Sequence, residues 1–301
     1  MSPLETEFLG VTFPNPVVTA SGTFNFGREY AHLYPLNKLG AITTKGVSPR
    51  PIMGAPIPRI TETPMGMLNA IGLENKGVDA YVADELPWLK EQGARVIVNV
   101  FGDAAADFAH VARKVSPYAD IIEVNLSCPN VHEGNLPFAH DPKAGAEVIH
   151  RVKEVTSRPV LAKLSPNGPV LPVAEALEHA GVDGFSLINT LLGMRMDLER
   201  KRPVLGNRQG GLSGPAIRPV AVRLVYELYR NTDRPILGMG GIASAEDALE
   251  FALAGASLVA VGTATFSNPY APIKLIEELK RYLETRSESW NDWVGTAHTP
   301  N

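Results

Sequence analysis

Eight short runs of aliphatic and β-branched residues recur along this chain, with helical patterns between them. They occupy residues 16–21 (PVVTAS), 41–47 (AITTKGV), 96–102 (VIVNVFG), 121–127 (IIEVNLS), 159–165 (PVLAKLS), 184–190 (GFSLINT), 234–241 (RPILGMGG) and 258–265 (LVAVGTAT). Each stays apolar nearly to its end, as a strand covered on both faces must. Between them, residues 141–155 open with Asp-Pro, an N-cap followed by a residue whose missing N–H costs nothing in a first helical turn. That segment lines up Val148, Ile149, Val152 and Val155 on one face. Residues 244–254 open Ser-Ala-Glu-Asp and set Leu249, Ala252 and Leu253 at helical spacing. Strands alternating with helices give a parallel sheet, and eight such units close into a barrel. The expected fold class is therefore α/β, a (β/α)8 TIM barrel. A doubly wound open sheet would need a glycine-rich nucleotide fingerprint after its first strand, and Ser21-Gly22-Thr23-Phe24 is not one.

With 301 residues the chain suits one large barrel, and a single domain over 1–301 is expected. Residues 4–13 alternate in polarity, as a hairpin closing the barrel's bottom would. Three strand-to-helix connections are long: 48–75, 129–140 and 191–214. In a barrel these lie on the C-terminal face, where active sites form. The net charge is −4 with no basic cluster, which argues against nucleic acid as a partner. One cysteine cannot form an intrachain disulfide or supply an iron–sulfur cluster. The seven histidines show no metal-ligand spacing, so no metal is expected. There is no signal sequence in MSPLETEFLG and no apolar run of about 18 residues anywhere, so neither export nor a membrane is expected. The chain reads as cytoplasmic.

The strand ends carry the functional signal. In order they present Ser21, Lys45-Gly46, Asn99, Asn125 with Cys128, Lys163, Asn189-Thr190, Gly240-Gly241 and Gly262-Thr263. A lysine or asparagine inside an apolar strand costs several kcal/mol if left unpaired. Five such residues at corresponding positions point to a shared polar ligand above the barrel. The glycines after strands 7 and 8, joined by Gly214, mark where barrels commonly bind a phosphate. The string Gly238-Met239-Gly240-Gly241-Ile242-Ala243 also fits GxGxxA, but its place as a late strand is wrong for a dinucleotide site.

These residues carry a resemblance. The chain resembles the class 1 dihydroorotate dehydrogenases, B type, in TASGTF (19–24), TTKGVSPRP (43–51), PRITETPMGMLNAIGLENKGVD (58–79), NLSCPN (125–130), INT (188–190) and GMGGI (238–242). NLSCPN and MLNAIGL together are specific; GMGGI alone is not. The likeness runs from about residue 4 to residue 285. Residues Glu133-Gly134-Asn135 replace a more usual Gly-Gly, and the tail after Arg286 has no match.

The resemblance implies an FMN across the barrel mouth, in contact with Ser21, Lys45, Gly46, Asn99, Asn125, Lys163, Ile188, Gly214, Gly240, Gly241, Gly262 and Thr263. It implies dihydroorotate stacked on that flavin, touching Lys45, Asn69, Ala70, Ile71, Gly72, Leu73, Asn125, Asn189 and Thr190. Amide side chains suit a ring that offers both donors and acceptors. Cys128 matches the family's base, which takes the C5 proton while the C6 hydride goes to the flavin. A thiol with an ordinary pKa of about 8.5 is within reach of that task. The membrane-bound class 2 relatives carry serine there and feed quinone through an extra N-terminal helical segment, which this sequence is not expected to have. B-type resemblance further implies a homodimer joined by a partner subunit carrying FAD and a [2Fe–2S] cluster, a heterotetramer that reduces NAD.

Plainer readings exist for each residue. A lone cysteine is commonly a small buried hydrophobe. Lys45 and Lys163 would be salt-bridged core lysines, Asn69 a turn cap, and Glu199-Arg200-Lys201-Arg202 a solvated loop face. Trp290 and Trp293 are expected to pack a terminal helix. The rival enzyme is a dihydropyrimidine dehydrogenase-like flavoenzyme acting on dihydrouracil. A rival without redox chemistry is a barrel that only binds a phosphorylated ligand.

Overall fold

The computed structural model describes residues 2–127 and 138–298. Eight parallel strands form the central sheet: β1 (Val17–Thr19), β2 (Ile42–Thr43), β3 (Val96–Val100), β4 (Ile121–Asn125), β5 (Val160–Lys163), β6 (Gly184–Leu187), β7 (Ile236–Met239) and β8 (Ala256–Val261). Each pairs with the next from β2 through β8, and β8 returns to β1. The last seam closes through a parallel bridge between Val18 and Ala41 and a Gly40 N–H donated to Val17 O at 2.8 Å. A parallel sheet closed in chain order is the (β/α)8 barrel the sequence pattern implies.

Alternation along the strands divides the apolar residues into two sets. Ile122 and Val124 face the helices, whereas Ile97, Ile121, Leu161, Leu237 and Leu258 fill the barrel interior. The hairpin of Thr6–Phe8 and Val11–Phe13 inserts Phe8 and Phe13 into that interior from below. Its two-residue turn, Leu9-Gly10, has positive φ at both positions, the geometry that follows strand twist. The barrel's lower half is thus filled mainly by apolar side chains.

The helix Pro142–Lys153 is capped by Asp141, whose carboxylate accepts from the backbone N–H groups of Lys143 and Ala144. Val148, Ile149 and Val152 are buried against the sheet as the spacing requires, and Val155 packs at the edge. Ser244 and Asp247 form a capping box at the start of Ala245–Ala254. There Leu249 and Ala252 are buried and Leu253 is half-exposed, while Phe251, outside the expected face, is wholly buried. Its ring packs over Gly238 of β7, where an added Cβ would stand 2.6 Å from Phe251 Cδ1; on the same helix, Gly295 of the C-terminal segment donates to Ala252 O. Trp290 is buried with its indole N–H on Ser257 O at 2.9 Å, and Trp293 packs edge-on against Tyr282 of the helix Ala271–Arg286.

Two of the long connections do not remain irregular. Leu191–Gly193, Gly210–Ser213, Gly66–Asn69 and Ile60–Thr63 form a four-stranded antiparallel sheet over the C-terminal face. These strands have three or four residues and no continuous apolar run, so periodicity does not mark them. Each insertion forms a strand pair, and the two central strands join them, with Asn69 opposite Gly211. Residues 199–202 are exposed, as a solvated loop face would be. No helix among the described residues is long and apolar enough to cross a membrane.

Candidate active site

The upper barrel carries a polar layer that becomes more accessible toward the mouth. Glu123 is 0% exposed, Asn99 1%, Lys163 4% and Asn125 8%. Register sets them side by side: Asn99 lies opposite Glu123, and Asn125 opposite Lys163. Lys163 Nζ donates to Ser21 Oγ at 2.9 Å, across the seam from β5 to the loop after β1. Its near partner is thus a hydroxyl, which is unlike the salt-bridged core lysine of the plainer reading. Lys45 follows β2 and is half-buried. Burial pushes its ammonium pKa below the ordinary lysine value; Glu74 opposes that shift and Arg59 adds to it.

A second focus is a glycine cradle. Ser213-Gly214, Gly240-Gly241 and Gly262-Thr263 arrive from three separate loops. A Cβ on Gly241 would stand 2.7 Å from Gly214 O, so those two backbones are in contact. Thr263 Oγ1 donates to Ser213 Oγ at 2.7 Å, which ties the loop after β8 to the upper sheet. Gly214, Gly240 and Gly241 have φ of 99°, 133° and 79°, a region that side chains disfavour. Ile188 sits beside this cradle, and its N–H donates to Met239 O at 2.9 Å.

A third focus gathers residues from the two insertions around Gly211. Asn69 Nδ2 donates to Gly211 O at 3.2 Å, and a Cβ on Gly211 would collide with the Thr190 side chain. Asn69 is therefore no isolated turn cap. Asn189 Oδ1 accepts from Thr190 N at 2.8 Å, and Asn167 braces the pair by donating to Thr190 O at 3.0 Å. The segment Ala70, Ile71, Gly72, Leu73 is anchored by Ala70 N on Arg59 O and Ala55 N on Ile71 O. Gly72 and Leu73 both have positive φ, which turns the chain sharply there. Cys128, with Pro129 and Asn130, lies outside the described residues.

The donor set fits a flavin mononucleotide. Backbone glycines from three loops suit a phosphate, and a row of amides and lysines suits a ring with several carbonyl and imide positions. Thr43 Oγ1, Asn99 Oδ1 and Ser127 Oγ, at the upper ends of β2, β3 and β4, are buried without a hydrogen-bond partner among the described residues. Such atoms cost about 1–3 kcal/mol each unless something pairs with them.

Sequence reading assigned no role to Glu123, Ser186, Gly211, Ser213 or Asn167. Glu123 had a readable signal, a carboxylate inside an apolar run. Gly211 and Ser213 had none, because their partners are distant in sequence.

The model of the family "Dihydroorotate dehydrogenase" matches residues 3–283. The chain belongs to the dihydroorotate dehydrogenase family. It is 50% identical over 287 residues to a Bacillus cytotoxicus protein named dihydroorotate dehydrogenase B (NAD(+)), catalytic subunit, covering 94% of this chain and 93% of the relative. A Bacillus cereus protein of the same name has the same identity and coverage.

Proposed function

We propose that this chain is the catalytic subunit of a B-type dihydroorotate dehydrogenase, an oxidoreductase that converts dihydroorotate to orotate in pyrimidine biosynthesis. The observation that carries the site is the meeting of Lys163, Ser21, Asn99 and Asn125 at one barrel mouth beside the three-loop glycine cradle. FMN would supply the hydride acceptor for the substrate's C6 hydrogen. Gly214, Gly240, Gly241, Gly262 and Thr263 would hold its phosphate, and Ser21, Gly46, Asn99, Lys163 and Ile188 its ring. Lys45 and Asn125 would touch both ring and substrate. Lys163 places a positive charge beneath the mouth, which favours electron acceptance there.

Asn69, the backbone of residues 70–73, Asn189 and Thr190 would bind dihydroorotate from above and fix its orientation. Cys128 would take the C5 proton on the face opposite the flavin. Its position in the sequence, three residues after Asn125 where β4 ends, supports that role. The family's reaction leaves the phosphorylated-ligand reading without support, and the dihydrouracil reading is not favoured.

Electrons would leave through a partner subunit carrying FAD and a [2Fe–2S] cluster, and a homodimer would form the centre of the heterotetramer. Exposed Met53, Ile57, Met65, Leu192, Met196 and Leu198, all on the two insertions, support a contact between copies. A cytoplasmic location would suit that assembly. The test is NAD reduction with dihydroorotate as donor. The purified chain alone should reduce artificial acceptors but hardly reduce NAD, and adding the partner should restore NAD reduction. Robust NAD reduction by the chain alone would contradict the proposal, and strong fumarate-dependent turnover would assign the chain to the A type.

A further inference from the structure

Glu123 is wholly buried in the middle of β4, between the apolar plug and the polar mouth. Its Oε2 accepts from Asn99 Nδ2 at 2.5 Å, and its Oε1 accepts from Ser186 Oγ at 2.7 Å. A carboxyl group in such a place is costly, and an apolar side chain of similar volume would pack there at least as well. Stability therefore does not account for it.

What the carboxylate does is remove an ambiguity. An asparagine amide has a donor end and an acceptor end of nearly equal shape, and its direction is set by its partners. With Ser186 Oγ donating to its other oxygen, the Glu123 carboxyl group accepts from Asn99, and Asn99 turns Nδ2 toward it. Asn99 Oδ1 is then turned away, and it is one of the buried atoms without a hydrogen-bond partner among the described residues. It lies beside Gly46, whose added Cβ would stand 3.0 Å from it. The strand end is thus left with an acceptor of fixed direction next to the glycine assigned above to the flavin ring.

We propose that Glu123 is the positioning residue of the flavin site: it holds Asn99 Nδ2 so that Asn99 Oδ1 is presented as an acceptor to the flavin's ring N–H. This rests on the flavin reading given above. Glu123 touches no ligand and acts only through Asn99. Ser186 occupies the second oxygen, so that the carboxylate cannot rotate away from the amide.

The test uses apoprotein, FMN and three variants. Glu123→Met removes both acceptors at similar length. Glu123→Gln can still accept from Asn99 with its oxygen and donate to Ser186 Oγ with its nitrogen. The wild-type apoprotein should bind FMN and shift the ¹⁵N resonance of the flavin N3–H. Glu123→Met should lose about ten- to a hundredfold in FMN affinity, the range of one unmade buried hydrogen bond, and the N3 resonance should move. Asn99→Leu should lose a similar factor, and the double variant should be no worse than either single one. Glu123→Gln should restore both affinity and resonance.

Should Glu123→Met fail to fold, Glu123→Asp carries the same expectation, because its carboxylate is withdrawn from Asn99 by one methylene. Wild-type affinity and an unmoved N3 resonance in the folded variant, or additive losses in the double variant, would overturn the role of Glu123. Failure of the wild-type apoprotein to bind FMN would instead overturn the flavin reading itself.

Discussion

Gly262→Ala separates the phosphate cradle from the fold that builds it. A Cβ at Gly262 would meet Ala20 Cβ at 3.3 Å and Thr23 Cγ2 at 3.7 Å, and nothing closer. The residue is not in the left-handed region. A methyl group therefore fits with a shift of a few tenths of an ångström. Removing a glycine from the unfolded chain stabilises by about 0.4–1 kcal/mol, which offsets the tight contact with Ala20. The apoprotein should unfold in urea within about 0.5 kcal/mol of wild type, as for a substitution without a strong mechanism against it. FMN is another matter, because on the proposed placement the methyl would stand on backbone that the phosphate would approach. Losing one charge-assisted contact costs about 1.5–3 kcal/mol, or roughly ten- to a hundredfold in affinity. Quenching of flavin fluorescence measures it directly. Riboflavin, which lacks the phosphate, should bind wild type and variant alike. Equal FMN affinity in the two proteins, or equal losses for FMN and riboflavin, would refute the placement of the phosphate at this loop.

Two further perturbations test the reacting groups. Cys128→Ala should retain FMN but slow its reduction by dihydroorotate by roughly 10²–10⁴-fold, the usual worth of a general base, as read by anaerobic stopped flow; wild-type reduction would remove Cys128 from the mechanism. Lys45 has a folded-state pKa below the unfolded value of 10.5, so the unfolded chain binds more protons and this group's contribution to stability rises with pH toward that value. Lys45→Met should therefore stabilise the apoprotein at neutral pH, with a gain in Tm that shrinks as pH nears 10.5, while orotate binding weakens; a gain that does not vary with pH would contradict the burial argument.

The barrel was legible because eight buried strands must each be apolar on both faces, and few folds use eight. The strand-end residues were legible for the same reason, since Asn99, Asn125 and Lys163 interrupt otherwise apolar runs. Glu123 interrupts such a run too, but its effect passes through Asn99 and Ser186, which lie on other strands. The upper sheet was not legible. Its strands are short, and Asn69 finds Gly211 only because the loops after β2 and β6 meet above the barrel. Phe251 likewise reaches the core because Gly238 of β7 leaves room for its ring, a pairing that helical spacing does not mark.

The half-reaction itself tests the proposed activity. The FMN-loaded chain is mixed without oxygen with dihydroorotate, and separately with dihydrouracil, while the visible flavin absorbance is followed. Dihydroorotate should bleach the flavin rapidly and release one equivalent of orotate per flavin, and dihydrouracil should change little. Bleaching by dihydrouracil with dihydroorotate inert would contradict it.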